Sequence, residues 1–245
     1  MTTSQIVIVL AVSALAAIIK STTGMGYPLI LIPVLALFID VTEAVALVSP
    51  SNFFLNAKLV WSMREQRSQA KTLPRFVAGG VVGSIIGTAL LPVLPNNGLR
   101  IVLIVVIVLF LFNKLSPRSL SMSDAQSQRL APGVGLVGGV FQGAAGISGP
   151  IVTPWFLSLG LARDTYIYAI TSVFALVGLV QLVVLTVQGS FSSDIATVAL
   201  LLIPLAYLMF PLGKILRERV SVQAFEWIVL GLLALSAVSL AVRLL

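Results

Sequence analysis

The sequence predicts an all-α polytopic membrane protein made of two inverted repeats, each with about five hydrophobic segments. Short broken or re-entrant helices are expected to meet near the midplane. Composition is the first reason: 58% of residues are hydrophobic, 9% are charged and the mean hydropathy is +1.10, which is typical of a chain in a bilayer. The second is a glycine-rich break that recurs 122 residues further on. Charge-free runs near the length of a span, roughly 20 apolar residues, are the third.

The hydrophobic runs form five plus five segments. A polar, serine-rich stretch with the composition of a flexible linker separates the two sets. We therefore divide the chain into a first membrane repeat at 1–115, a cytoplasmic linker at 116–130 and a second repeat at 131–245. No Lys or Arg precedes the first apolar run, so we expect a retained span rather than a cleaved signal peptide. The segments lie near 3–22, 28–39, 43–62, 75–94, 98–114, 131–146, 150–161, 165–187, 195–213 and 224–243.

The positions of the lysines and arginines predict the orientation. Cytoplasmic loops carry an excess of these residues, and here they cluster at 58–75, at 114–129 and at 214–219. An odd number of segments per half makes the second half enter from the opposite face, so the repeats are inverted and both termini are periplasmic. The net charge of +7 is then loop charge that sets topology, and we expect no nucleic-acid partner.

The two breaks predict the site. They read Gly24-Met25-Gly26-Tyr27-Pro28 and Gly146-Ile147-Ser148-Gly149-Pro150. Proline suits the first turn of a helix, so each break should start a short helix whose free N–H groups face the glycine-rich tip. We expect Gly24, Gly26, Gly146 and Gly149 to turn at positive φ. Two positive helix ends that converge on one space outline an anion site.

Polar residues near the breaks and on the third segment of each half would complete this site, and none of them is acidic. Each has a structural alternative: hydroxyls bond their own helix or join helices, Lys20 snorkels to the interface, and Trp155 is an interfacial anchor. Close helix packing explains the glycines at 79, 80, 83 and 87 more simply than function. The candidate substrate-binding residues are Lys20, Thr23, Gly24, Gly26, Tyr27, Ser51, Asn52, Gln142, Gly146, Ser148, Gly149, Trp155, Thr171 and Ser172.

Several classes of function are disfavoured by what the chain lacks. It has no Cys and no His, so we expect no metal site and no cofactor. A membrane-embedded enzyme needs a nucleophile or base, and no carboxylate lies in the middle of a predicted segment. A carrier for a cation would need such a carboxylate as its partner. A passive anion channel shares every feature of an anion carrier and stays open.

At these residues the chain resembles the TauE/SafE family of sulfite and organosulfonate exporters. The resemblance covers nearly the whole length and rests on the two breaks followed by Pro, the Ser/Thr pairs at Ser49 and Ser51 and at Thr171 and Ser172, and the basic loop after the first pair. It implies a secondary transporter in the bacterial inner membrane that exports sulfite, sulfoacetate or a related sulfonate by alternating access. A permease for another small carboxylate or anion stays open, as does a homodimer.

Overall fold

The fold is all-helical throughout the part of the chain that the computed structural model describes, residues 3–115, 122–217 and 222–244. The predicted α class is confirmed, and each of the ten predicted segments corresponds to a helix. The helices are α1 (Thr3–Thr23), α2 (Tyr27–Leu35), α3 (Val41–Ser62), a 3-10 helix (Arg64–Gln69), α4 (Leu73–Ala89), α5 (Asn96–Leu115), α6 (Asp124–Ala145), α7 (Gly149–Ser158), α8 (Arg163–Val187), α9 (Ser193–Arg217) and α10 (Val222–Val242).

The helices are those of a multi-pass membrane protein. By length and composition Asn96–Leu115, Arg163–Val187 and Ser193–Leu212 are able to cross a bilayer, and shorter apolar helices cover Gln5–Ser21, Leu73–Ala89 and Leu230–Val242. Large apolar side chains also face outward, with exposed fractions of 82% for Val187, 69% for Leu208 and 68% for Leu235. Such a surface is stable against lipid and unfavourable against water.

Helix α6 begins earlier than the composition predicted. Residues from Asp124 onward were expected to be flexible linker, but they form the first two turns of α6. The reason is a capping box: Ser123 accepts a hydrogen bond from the N–H of Gln126, and the Gln126 side chain accepts one from the N–H of Ser123. These bonds satisfy amides that a helix end leaves free.

The short helices α2 and α7 fold back along the helices that precede them. The N–H of Met122, just before α6, donates to the carbonyl oxygen of Ser158 at the end of α7 (3.3 Å), so both ends of this hairpin lie on one side. In the first half, the hydroxyl of Tyr27 lies 2.8 Å from that of Ser13, which precedes the end of α1 by ten residues. The chain therefore forms two hairpins, α1–α2 and α6–α7, with the glycine-rich breaks at their tips.

Contacts at the helix ends define two sides of the molecule. Thr165, at the start of α8, donates to Gln66 and Gln69 of the 3-10 helix, which follows the end of α3. At the other end of α8, the amide of Gln188 donates to the carbonyl oxygen of Thr88, near the end of α4. Helices α3 and α8 therefore run in opposite directions. We call the side that holds the 3-10 helix the basic side.

Helices α4 and α6 approach backbone to backbone. A Cβ added to Gly79, Gly83 or Gly87 would overlap the carbonyl oxygens of Pro132, Leu136 and Val140 respectively. The converse holds on α6, where Gly135 and Gly139 face the carbonyl oxygens of Phe76 and Gly80. Small residues that let membrane helices approach closely are a recurrent packing device. The interpretation of these glycines as packing residues fits this geometry.

Candidate functional site

A small cavity lies between the two hairpin tips, beside α3 and α8. Its volume is about 20 Å³, which is room for roughly one water molecule. Both halves of the chain contribute to its walls, so the structure brings the two breaks together as the sequence predicted. The residues that line it are Lys20, Met25, Gly26, Pro28, Leu29, Asn52, Phe110, Gln142, Ile147, Ser148, Gly149 and Phe174.

The tips have the backbone expected of tight turns, with one correction. Gly24, Gly26 and Gly146 have φ values of 78°, 106° and 68°, a region that only glycine adopts readily. The expectation for Gly149 was wrong: it is the first residue of α7 and its φ is not positive. A helix can begin there because Ser148 already supplies the carbonyl oxygen that accepts from Ile151 and Val152.

Both short helices begin beside the cavity without a side-chain cap. Pro28 occupies the first turn of α2 and Pro150 the first turn of α7, and neither N-cap residue, Gly26 or Ser148, caps its helix with a side-chain hydrogen bond. The first amides of a helix have no partner within the helix. Their positive end therefore faces the space between the tips.

Lys20 places a basic amino group in this space. Its side chain is 1% exposed, and its Nζ donates a long hydrogen bond of 3.4 Å to Oδ1 of Asn52 and lies 5.8 Å from the centre of the Phe174 ring. None of the described residues that line the cavity is acidic. A buried charge is costly unless it is paired and well hydrogen-bonded, and these two contacts are weak compensation.

A network of amides fixes the second tip. Nε2 of Gln142 donates to the carbonyl oxygen of Gly146 (3.2 Å) and to Oε1 of Gln181 (3.0 Å), and Oε1 of Gln142 accepts from Ser148 (2.9 Å). Nε2 of Gln181 in turn donates to the carbonyl oxygens of Gln142 and Gly143. Gln142 and Ser148 thus line the cavity in orientations that Gln181, behind them on α8, holds in place.

Replacing Gln181 by leucine should destabilise the folded protein by about 1–3 kcal/mol, because the buried carbonyl oxygens of Gln142 and Gly143 would lose a donor. Thermal unfolding in detergent measures this change. The control is Thr186→Ala, which removes an exposed hydroxyl on the same helix and should leave the unfolding temperature unchanged. Equal stability of both variants would contradict the role given to Gln181.

Several predicted site residues lie outside the cavity wall. Tyr27 is fully buried, and its hydroxyl bonds to Ser13 and Ser51. Thr171 donates to the carbonyl oxygens of Ile167 and Tyr168 in its own helix. These hydroxyls are engaged in helix packing, the alternative that membrane serines and threonines commonly take.

Four more predicted residues also lie away from the cavity wall. The indole of Trp155 packs on Phe76, with ring centres 6.1 Å apart, and its N–H has no partner; the hydroxyl of Ser172 is likewise buried without one. Gly24 lies against Ile167 and Ile170, and Gly146 against Ile32 and Val45. The side chain of Thr23 lies outside the described residues.

The apolar half of the cavity wall was missed by the search for polar residues. The duplication inferred from the sequence was the available signal for part of it, since the 122-residue offset pairs Asn52 with Phe174 and Met25 with Ile147. Phe110 of α5 had no such signal. The missed lining residues are Met25, Pro28, Leu29, Phe110, Ile147 and Phe174.

The same offset shows that the cavity is asymmetric in charge. Lys20 corresponds to Gln142, so the two hairpins present a cation on one side and a neutral amide on the other. The amino group of Lys20 contacts Asn52, and the 122-residue offset places Phe174 at the position equivalent to Asn52. The site therefore combines one charge, two amides, a hydroxyl and an apolar wall.

A second cavity of about 210 Å³ lies on the basic side. It is formed by the end of the 3-10 helix, the turn before α4, the start of α6 and the end of α7, and it holds both Lys71 and Asp124. Because charges of both signs are present, this cavity has no preference for an anion comparable to that of the space between the tips.

Two helix hairpins that meet tip to tip around a buried lysine, inside a multi-pass helical protein, have the arrangement of a membrane transporter whose site lies at broken helices. The family comparison agrees with this class: the model of the sulfite exporter TauE/SafE family matches residues 9–240. The chain belongs to that family. Its members are transporters of the sulfite-exporter type rather than enzymes, with an anionic substrate. No curated protein and no solved structure matches the chain significantly.

Proposed function

We propose that this protein exports a small sulfur oxyanion, such as sulfite or a short organosulfonate, across the bacterial inner membrane. The anion binds between the hairpin tips, where Lys20 supplies a charge and the positive N-terminal ends of α2 and α7 add to it. Asn52, Gln142 and Ser148 complete the polar contacts. Met25, Ile147 and Phe174 accommodate the less polar part of the ligand.

The observation that carries this proposal is the burial of Lys20 without an acidic neighbour. Lysine is almost never fully buried unless it is paired, and the described lining of its cavity holds no acid. An oxyanion would pair with the ammonium and with both helix ends at once. The alternative for Lys20, snorkelling to the interface, is disfavoured because its Nζ is directed to Asn52 in the middle of α3.

Alternating access is supported by the way the two halves pack. We propose that residues 1–115 and 131–245 are inverted repeats. If helices α1–α5 are matched in order with α6–α10, the packing of α4 on α6 corresponds to that of α9 on α1, and α4 on α8 to α9 on α3. The opposite directions of α3 and α8 also fit. Inverted repeats with a site at their interface are a recurrent transporter design.

The small size of the cavity favours a carrier over a passive channel. A channel needs a continuous wet path, whereas the space between the tips holds only about one water molecule. A sulfonate would enter only when the tips separate. Movement of one hairpin against the other would then expose the site to one side at a time.

Counterflow in proteoliposomes tests the proposed function. Vesicles loaded with unlabelled anion should accumulate the labelled anion for sulfite and small sulfonates but not for taurine, a zwitterion, or for a neutral solute. Acetate in the same panel tests the alternative of a carboxylate permease. Equal flux of all solutes, or no flux above that of empty vesicles, would contradict the proposal.

The orientation is tested by cysteine labelling, which this cysteine-free chain makes simple. Ser68 in the 3-10 helix and Ser193 at the start of α9 are both exposed. Because basic loops are retained in the cytoplasm, a cysteine at Ser68 should be protected from an impermeant maleimide in intact cells, while one at Ser193 should be labelled. The reverse pattern would overturn the orientation.

A further inference from the structure

Without a bound anion, the amino group of Lys20 has few contacts that stabilise a charge. Its Nζ is buried, and its contacts are a 3.4 Å hydrogen bond to Asn52 and the ring of Phe174 at 5.8 Å. An ammonium in such a place loses most of its hydration, whereas a neutral amine loses much less. The empty site therefore favours the amine, and a bound anion favours the ammonium.

We propose that one proton travels with each anion, carried on the side chain of Lys20. This inference rests on the proposed function, since it assumes that the anion binds beside Lys20. The step is a proton transfer without redox chemistry: the amine lone pair takes up a proton as the anion enters, and the ammonium releases it as the anion leaves on the other side. For a singly charged anion, the loaded and empty forms of the carrier then have the same net charge.

Among the described residues that line the cavity, Lys20 is the only titratable one. Helix α1 has no other charged residue, and the titratable residue of α2, Tyr27, bonds to Ser13 and Ser51. Among described side chains, those on α3, α5, α6 and α8 lie toward the helix ends or at least six residues from the residue that lines the cavity; on α9, Asp194 lies at the helix start and the hydroxyl of Tyr207 donates to the carbonyl oxygen of Phe54. They are Glu43 and Lys58 on α3, Arg100 and Lys114 on α5, Asp124 and Arg129 on α6, Arg163, Asp164, Tyr166 and Tyr168 on α8, and Asp194 and Tyr207 on α9.

The surroundings of Lys58 differ from those of Lys20. The Nζ of Lys58 lies 4.7 Å from the ring centre of Tyr207 and 5.1 Å from that of Phe210, and its side chain is only half-buried. Partial hydration and two aromatic faces stabilise an ammonium there. Lys20 is less hydrated and has a single aromatic ring near it, at a longer distance.

Coupling of this kind has two measurable consequences. Anion binding and proton binding must strengthen each other equally, so binding linked to one proton weakens about tenfold per pH unit once the amine form dominates. Transport of a singly charged anion should also move no net charge, so a membrane potential should not alter its rate.

The experiment uses proteoliposomes loaded with methanesulfonate, the anion of a strong acid, which cannot itself carry a proton at neutral pH. An internal pH dye and a potential clamped with potassium and valinomycin report proton and charge movement. We expect about one proton to leave with each methanesulfonate ion, at a rate independent of the potential. Efflux that increases with an inside-negative potential and moves no protons would overturn the proposal while leaving anion transport intact.

A matched variant separates the proton step from anion binding. Lys20→Arg keeps a positive charge that does not deprotonate in proteins. Exchange of labelled for unlabelled methanesulfonate needs no proton release and should persist, whereas net efflux should fall at least tenfold. Net efflux at the wild-type rate with protons still moving would overturn the proposal. If exchange is lost as well, the variant no longer isolates the proton step. The number of protons that the wild-type protein moves with each methanesulfonate ion then confirms or overturns the proposal. Absence of exchange for every anion in the wild type would instead refute the proposed function.

Discussion

Replacing Lys20 by glutamine should lower the affinity for every transported anion by roughly 10- to 150-fold. The variant removes a charge-assisted interaction worth about 1.5–3 kcal/mol from a cavity whose described lining residues carry no other charge. Glutamine preserves much of the side-chain volume and a donor for Asn52, so the fold should survive. The concentration dependence of uptake into proteoliposomes measures the change.

Lys58→Gln is the control for this result, because it removes a lysine of the same chain that contacts Tyr207 and Phe210 rather than the cavity. Its affinity for anions should stay within about twofold of the wild type. Unchanged affinity in Lys20→Gln, with normal amounts of folded protein, would place the anion site elsewhere and return Lys20 to a packing role.

A methyl group on Gly83 or Gly139 should prevent formation of the folded protein. The added Cβ would overlap the carbonyl oxygen of Leu136 in the first case and that of Gly80 in the second. Backbone atoms within two packed helices cannot move aside singly, so the cost should reach or exceed about 3 kcal/mol, the upper end for overpacking. The yield of monodisperse protein in detergent and its unfolding temperature measure the effect.

Gly133 and Gly178 provide matched controls within helices. A Cβ at either position meets nothing within 4 Å in the structure, and alanine is a better helix former than glycine. Gly133→Ala and Gly178→Ala should therefore be as stable as the wild type or more so. Equal yields for all four alanine variants would show that the close approach of α4 and α6 is unimportant.

The sequence predicted the parts of the fold that depend on local chemistry. Apolar runs predicted the helices, the prolines at 28 and 150 predicted where the short helices begin, and the glycines at 24, 26 and 146 predicted the positive-φ turns. Gly149 was misassigned because a glycine before proline at a helix start does not need a left-handed backbone. The start of α6 was missed because composition concealed the cap at Ser123.

Tertiary packing decided what the sequence could not predict. Ser51, Thr171 and Trp155 were plausible ligand contacts by type and position, yet the structure directs them to Tyr27, to their own helix and to Phe76. Phe110 reaches the cavity from α5, more than 80 residues away from Lys20 in sequence. Which face of a uniformly apolar helix meets the site depends on its neighbours, and hydrophobic periodicity carries little information about this in a membrane.

The internal duplication inferred from the sequence was the most informative signal about the site. It predicted that the two tips would lie together, and the cavity contains equivalent positions from both halves, such as Lys20 with Gln142 and Met25 with Ile147. Lys20 and Gln142 occupy equivalent positions, but only Lys20 can carry a charge, so the site can hold a single cation. That composition suits a singly charged anion better than a doubly charged one, which would keep one unit of charge uncompensated.

The position of a bound anion tests the central claim most directly. Selenite is a close analogue of sulfite, and its selenium scatters anomalously, so crystals of the protein grown with selenite can be phased to locate it. We expect an anomalous peak between Nζ of Lys20 and the first turns of α2 and α7, which disappears in Lys20→Gln. A peak at the cavity beside Lys71 instead, with none between the tips, would contradict the account.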